Sequence, residues 1–127
     1  MPAHSFDYAV IRAVPHVERQ EFVNVGVILF CRTLRFLDAR VTTDFRRLEM
    51  LAGNGPIDCF RERIELIPEV CRGTPRAGLM AGWSLADRFH WLTARSSSGI
   101  QSSEVHSGLC DDPAAALSRL FRHLVEG

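Results

Sequence analysis

The segment from Arg12 to Asn24 gathers more chemically capable side chains than any other part of this 127-residue chain. Arg12, His16, Glu18, Arg19, Glu21 and Asn24 fall around a single connection. Guanidinium, carboxylate and amide groups at that density pair with one another or grip a polar partner. Arg12, Arg19, Glu21 and Asn24 are therefore the binding candidates. Imidazoles titrate near working pH, so His16 and the distant His106 would make a general acid–base pair if the fold brought them together. His16-x-Glu18 with a far histidine would also make a metal set. Neither spacing is a recognised motif, so the reading expects no catalytic residue, no metal and no cofactor. His16, Glu18 and His106 stand as the alternative, a small enzyme or nucleic-acid-processing domain.

Asn24 interrupts an apolar stretch and must find partners, because a buried unpaired amide costs about 1–3 kcal/mol. Its expected role is to satisfy backbone groups of the preceding turn, in one cluster with Glu18, Arg19 and Glu21. Gly26, two residues on, is expected to make room for a helix. Residues 95–99, Arg-Ser-Ser-Ser-Gly, hold donors that suit phosphate, but they follow a helix instead of opening one, so an ordinary loop is expected. The chain contains no G-x-S-x-G, H-E-x-x-H or P-loop pattern.

The element that positions the Arg12–Asn24 segment is the run 22–30, Phe-Val-Asn-Val-Gly-Val-Ile-Leu-Phe. Successive strand side chains point to opposite faces, and here both faces are apolar, which predicts a central strand covered on both sides. The alternation puts Val23, Val25, Val27 and Leu29 on one face, with Phe22, Asn24, Gly26, Ile28 and Phe30 on the other. A first strand is expected at 7–14, ended by Pro15, and a third, at an edge because of Arg35, Asp38 and Arg40, at 34–41.

Helices follow. Thr43 or Asp44 can cap one carrying Phe45, Leu48 and Leu51. Ile57, Phe60, Ile64, Ile67 and Cys71 recur at helical spacing after Pro56, with Pro68 expected to kink that helix or end it early. Residues 73–82 read as loop. Ser84 with Asp87 is a capping box opening a short helix over 85–92, beside which Trp91 is expected to be partly buried. A weak fourth strand is expected over 100–106. Asp112 and Pro113 start a last helix with Leu117, Leu120, Phe121, Leu124 and Val125 as its stripe. Strands before helices predict an α+β fold: an antiparallel sheet of three to four strands, beginning as a meander, with about four helices packed on it, in a single domain spanning 1–127.

Composition narrows the function classes. Hydrophobic residues make up 46% of the chain, enough for one core. Fifteen basic and fifteen acidic residues balance, so no global field attracts nucleic acid or an anionic membrane. Every basic residue is arginine; their scatter from Arg12 to Arg122 fits a GC-rich genome better than a phosphate-reading patch. Cys31, Cys59, Cys71 and Cys110 form no C-x-x-C and are expected to be reduced. The first residues lack the basic and apolar regions of a signal peptide, and no stretch suits a bilayer, so a cytoplasmic location is expected.

Residues 8–15, Tyr-Ala-Val-Ile-Arg-Ala-Val-Pro, followed by Glu18-Arg19-Gln20-Glu21-Phe22-Val23-Asn24-Val25-Gly26-Val27-Ile28-Leu29, resemble the bacterial domain-of-unknown-function family 3037. Arg88-Phe89-His90-Trp91-Leu92-Thr93-Ala94 and Val105-His106-Ser107-Gly108-Leu109 resemble its second half. The resemblance implies no activity. It does imply a setting beside a kinase resembling the HipA toxin, hence a non-enzymatic accessory or regulatory domain whose partner is another protein, with such a kinase as the candidate. A homodimer is compatible with the same reading.

Overall fold

In the computed structural model, which describes residues 3–53, 55–94, 96 and 98–127, five strands form one antiparallel sheet. They are β1 (His4–Ala13), β2 (Val23–Cys31), β3 (Phe36–Val41), β4 (Ile100–Ser102) and β5 (His106–Cys110). The order is β3-β2-β1-β4, and β5 pairs with the first half of β1 while β4 pairs with its last residues. The first three strands are a meander, and β2 is paired on both sides. The expected fourth strand is thus two short segments of one edge, running on to Cys110. Between them Ser103 takes both strand bonds of Val10: its Oγ accepts from the Val10 N–H at 2.8 Å and its N–H donates to the Val10 carbonyl at 2.8 Å.

Four α-helices cover the sheet: α1 (Arg46–Leu51), α2 (Asp58–Arg72), α3 (Leu85–Leu92) and α4 (Pro113–Phe121). The first three lie on one face, where Leu48, Ile64, Ile67, Cys71 and Phe89 meet Ile11, Val25, Ile28 and Phe30. On the other face α4 and the π-turn Arg122–Glu126 place Leu117, Phe121 and Val125 over Val27, Leu29 and Cys31. Both caps read from the sequence form: Ser84 Oγ accepts from the Asp87 N–H at 3.1 Å, and Asp112 from the Ala114 N–H at 3.0 Å. Each satisfies donors that the first helical turn cannot.

Several local expectations change. The valines do not share a face. The β1–β2 register slips between Ile11↔Gly26 and Arg12↔Asn24, leaving Val25 as a bulge residue. A bulge inserts one residue and reverses the alternation. Val25 therefore joins Ile28 and Phe30 beneath the three helices, while Val27 and Leu29 face α4. Gly26 makes room for a strand and not for a helix: a Cβ there would sit 2.9 Å from the Arg40 carbonyl oxygen of β3. Pro68 does not end α2, which runs to Arg72 and stops where Gly73 turns left-handed at φ 69°. Residues 75–82 wind into 3₁₀ turns broken at Gly78, and Phe45, not Thr43 or Asp44, occupies the cap position of α1. Cys31, Cys71 and Cys110 are buried, whereas Cys59 is exposed. Arg95 and Ser97, in the loop expected over 95–99, lie outside the described residues.

Candidate functional site

The residues singled out in the β1–β2 connection do not form one site. Val17–Arg19 is a single 3₁₀ turn with Glu18 exposed on it. Arg19 Nε and Glu21 Oε1 pair at 2.7 Å in solvent, where such a bridge contributes little. Arg12 leaves that group and stacks over the Phe22 ring, 4.4 Å from its centroid. Asn24 turns away from the connection altogether: its Nδ2 donates to the Leu124 carbonyl at 3.1 Å, tying β2 to the C-terminal π-turn. The expected cluster of Glu18, Arg19, Glu21 and Asn24 is therefore reduced to one exposed ion pair. The bulge is the cause, because it turns Asn24 toward α4.

His106 pairs opposite Tyr8 and packs against its ring, with centroids 5.5 Å apart. His16 lies past Ala13, and Tyr8 to Ala13 alone is about 17 Å of strand at about 3.3 Å per residue. His106 thus sits beside the middle of β1 and His16 beyond its end, and neither lines the two cavities described below. Among the described residues no group of three or more His, Cys, Asp or Glu side chains is placed to hold a metal ion.

Two concave features stand out among the described residues, one under α2 and α3 and one at the β2–β3 end of the sheet where α1 and the π-turn meet. The first, of about 370 Å³, opens between α2, α3 and β4. Ile67 and Val70 of α2, Ile11 of β1 and Ile100 of β4 form its floor and walls, with Trp91 at its side. Trp91 is 54% exposed and does not join the core as the sequence led one to expect. It falls one residue outside the Leu85, Phe89, Leu92 stripe, and that one-residue offset turns an indole to solvent. Arg63 lies at the rim, donating to Ser98 Oγ at 3.1 Å, and Gln101 Nε2 donates to the Ser98 carbonyl at 2.9 Å. The outer edge of β4 is next to this cleft, and no other described strand completes it.

The second cavity, of about 460 Å³, lies between the start of β2, the end of β3, α1 and the π-turn. Arg40, Arg46 and Arg47 line it, with Asn24, Asp44 and Glu126. Arg46 grips Asp44 through Nε and Nη2, the latter at 2.6 Å, and those hydrogen bonds pull the Asp44 carboxyl down to about 2. Arg40 donates to Ser118 Oγ at 3.0 Å and lies over the Phe121 ring; Arg47 donates to the Val125 carbonyl at 3.2 Å.

Sequence reasoning passed over Arg88, which is only 8% exposed on α3. Its Nη1 donates to the Val70 and Cys71 carbonyls at 3.0 and 2.9 Å and its Nε to the Trp83 carbonyl at 3.1 Å. The signal was present, since residues 85, 88, 89 and 92 are one helical face and a charge among them must be satisfied in the core. Arg40 and Arg47 gave no such sign, because an arginine on an edge strand or in a first helical turn is ordinary.

A family model described as a protein of unknown function (DUF3037) matches residues 8–125 of the chain. No curated protein matches it, and no solved structure does. Among the described residues no helix is long and apolar enough to cross a membrane.

Proposed function

The chain belongs to the DUF3037 family, and from that premise we propose that it acts as a non-enzymatic accessory domain that holds an extended apolar segment of another protein. The supporting observation is Trp91, a large exposed aromatic at the wall of an apolar cleft beside an open strand edge. Exposed aromatics over concave apolar surfaces are the usual anchors of protein interfaces. An edge strand offers a second handle, because a partner's backbone can continue the sheet while its side chains enter the adjoining cleft. Arg63 is the charged residue among the described lining, so the fitting segment is apolar with neutral or acidic flanks. The acid–base alternative has no comparable support, since His16 and His106 line neither cleft.

The kinase of HipA-like type is the partner this reading names, in the cytoplasm, with the whole chain acting as one domain. The test is calorimetric titration of that kinase from the same host with the wild-type protein and with Trp91→Ala. Removing a central aromatic anchor costs about 2 kcal/mol or more, roughly thirtyfold in Kd. Because Trp91 is largely outside the core, the variant should melt like the wild type. Absence of a complex, or a Trp91→Ala affinity equal to the wild type, overturns the reading. Concentration-dependent mass of the isolated protein, lost in Trp91→Ala, would instead assign the cleft to a second copy.

A further inference from the structure

We infer that the cavity between β2, β3, α1 and the C-terminal π-turn binds a small organic anion, a carboxylate or phosphate held by Arg40 and Arg47. At about 460 Å³ it has the size of a small-ligand site. Among the described residues neither Arg40 nor Arg47 has a carboxylate within 4.0 Å. Each instead spends one N–H on a neutral acceptor, Ser118 Oγ or the Val125 carbonyl. A guanidinium group has five N–H donors in a fixed fork. One bond to the wall therefore orients each fork and leaves the rest of its donors for a planar or tetrahedral anion. Arg40 is further steadied by the Phe121 ring, 5.0 Å beneath its guanidinium carbon.

The carboxylate best placed to occupy these forks is already taken. Asp44 is held by Arg46 on its own loop. Glu126 also lines the cavity, so its formal balance is three arginines against two acids. That small excess fits one anionic group on a compact molecule and not a polyanion.

Asn24 also belongs to the wall, and its amide is fixed by the fold. Asn24 Oδ1 is buried in the wall with no hydrogen-bond partner. Its amide cannot simply be turned over, because Nδ2 is held by the Leu124 carbonyl, and exchanging the two would set oxygen against oxygen. A buried acceptor without a partner is rare and destabilising. That oxygen is closed off from the cavity, so it fixes no group of the bound molecule. The site thus asks for an anionic head at Arg40 and Arg47 and an apolar stem against Val41 and Leu48.

The experiment is an NMR titration of the full chain with sodium acetate and, separately, sodium phosphate, against sodium chloride at matched ionic strength. The Asn24 side-chain amide and the Arg40 and Arg47 Nε–H resonances are followed. Saturable shifts with acetate identify a carboxylate site, and with phosphate a phosphate site. Arg40→Gln/Arg47→Gln should weaken that binding about tenfold or more, the loss expected for charge-assisted contacts. Arg47→Gln alone serves where the double variant does not fold. Arg119→Gln, an equal charge change on α4 outside the cavity, should leave binding unchanged. Shifts that chloride reproduces, that do not saturate, or that survive loss of Arg47 refute the site.

Discussion

Arg88→Ala should destabilise the fold measurably, although nothing in its residue type marks it as core. The guanidinium reaches the Val70 and Cys71 carbonyls in the last turn of α2; Val70 also receives the Gly73 N–H at 3.2 Å, whereas Pro75 has no N–H to offer Cys71. It also sets a positive charge at the negative end of that helix. Removing it strands the buried Cys71 carbonyl at about 1–3 kcal/mol, while the Val70 carbonyl keeps the Gly73 N–H and the Trp83 carbonyl, near solvent, adds little. A loss of about 2 kcal/mol follows, a sizeable share of the 5–15 kcal/mol that holds an ordinary domain together. At about 2.1 cal/mol/K per residue the unfolding entropy of this chain is about 0.27 kcal/mol/K, so Tm should fall by about 7 °C. Arg88→Lys keeps the charge but cannot span three carbonyls, and should melt between the wild type and Arg88→Ala. Gly73→Ala is the coupled probe, since its Cβ would meet Arg88 Nη1 at 2.9 Å. Part of its penalty should vanish in the Arg88→Ala background, leaving the strain of a left-handed alanine. Scanning calorimetry reads all four variants. An Arg88→Ala melt within about 4 °C of the wild type, roughly 1 kcal/mol, refutes the reasoning.

Two further outcomes are expected. Alkylation of the native protein at mildly alkaline pH should modify Cys59 first, because Cys31, Cys71 and Cys110 are buried and burial pushes the Cys71 thiol up to about 12; mass spectrometry showing early modification of Cys71 would contradict this. The Asp44 carboxylate should titrate near 2 by NMR and return toward 3.8 in Arg46→Ala. Its folded value is depressed, so whatever stability the pair contributes is present above about 3.8 and lost as pH falls through 2. The pair is exposed, so added salt should weaken it, and a wild-type midpoint near 3.8 would show that the two groups do not pair.

The main outline was legible because it rests on local rules. An apolar run on both faces makes β2 central, Pro15 follows the end of β1, and the caps at Ser84 and Asp112 start their helices where the sequence places them. These features depend on residues within a few positions of one another. Arg88 was legible in principle, as a charge on an apolar helical face, but its partners Val70 and Cys71 belong to another helix.

What tertiary structure alone decided are the places where a distant contact outweighs a local preference. Pro68 removes one hydrogen bond from α2, yet the helix continues because Val70 and Cys71 beyond it are buried and its end is held by Arg88. The Val25 bulge depends on register against β1, which no single-strand pattern contains, and it alone turns Asn24 from the β1–β2 connection to the C-terminal π-turn. Arg40 and Arg47, seven residues apart in sequence on different elements, reach one cavity only because α4 and the π-turn close over the end of β3. Strand and helix periodicity are short-range properties written in the chain; face, register and cavity are set by which elements pack together, and so appear only in the folded molecule.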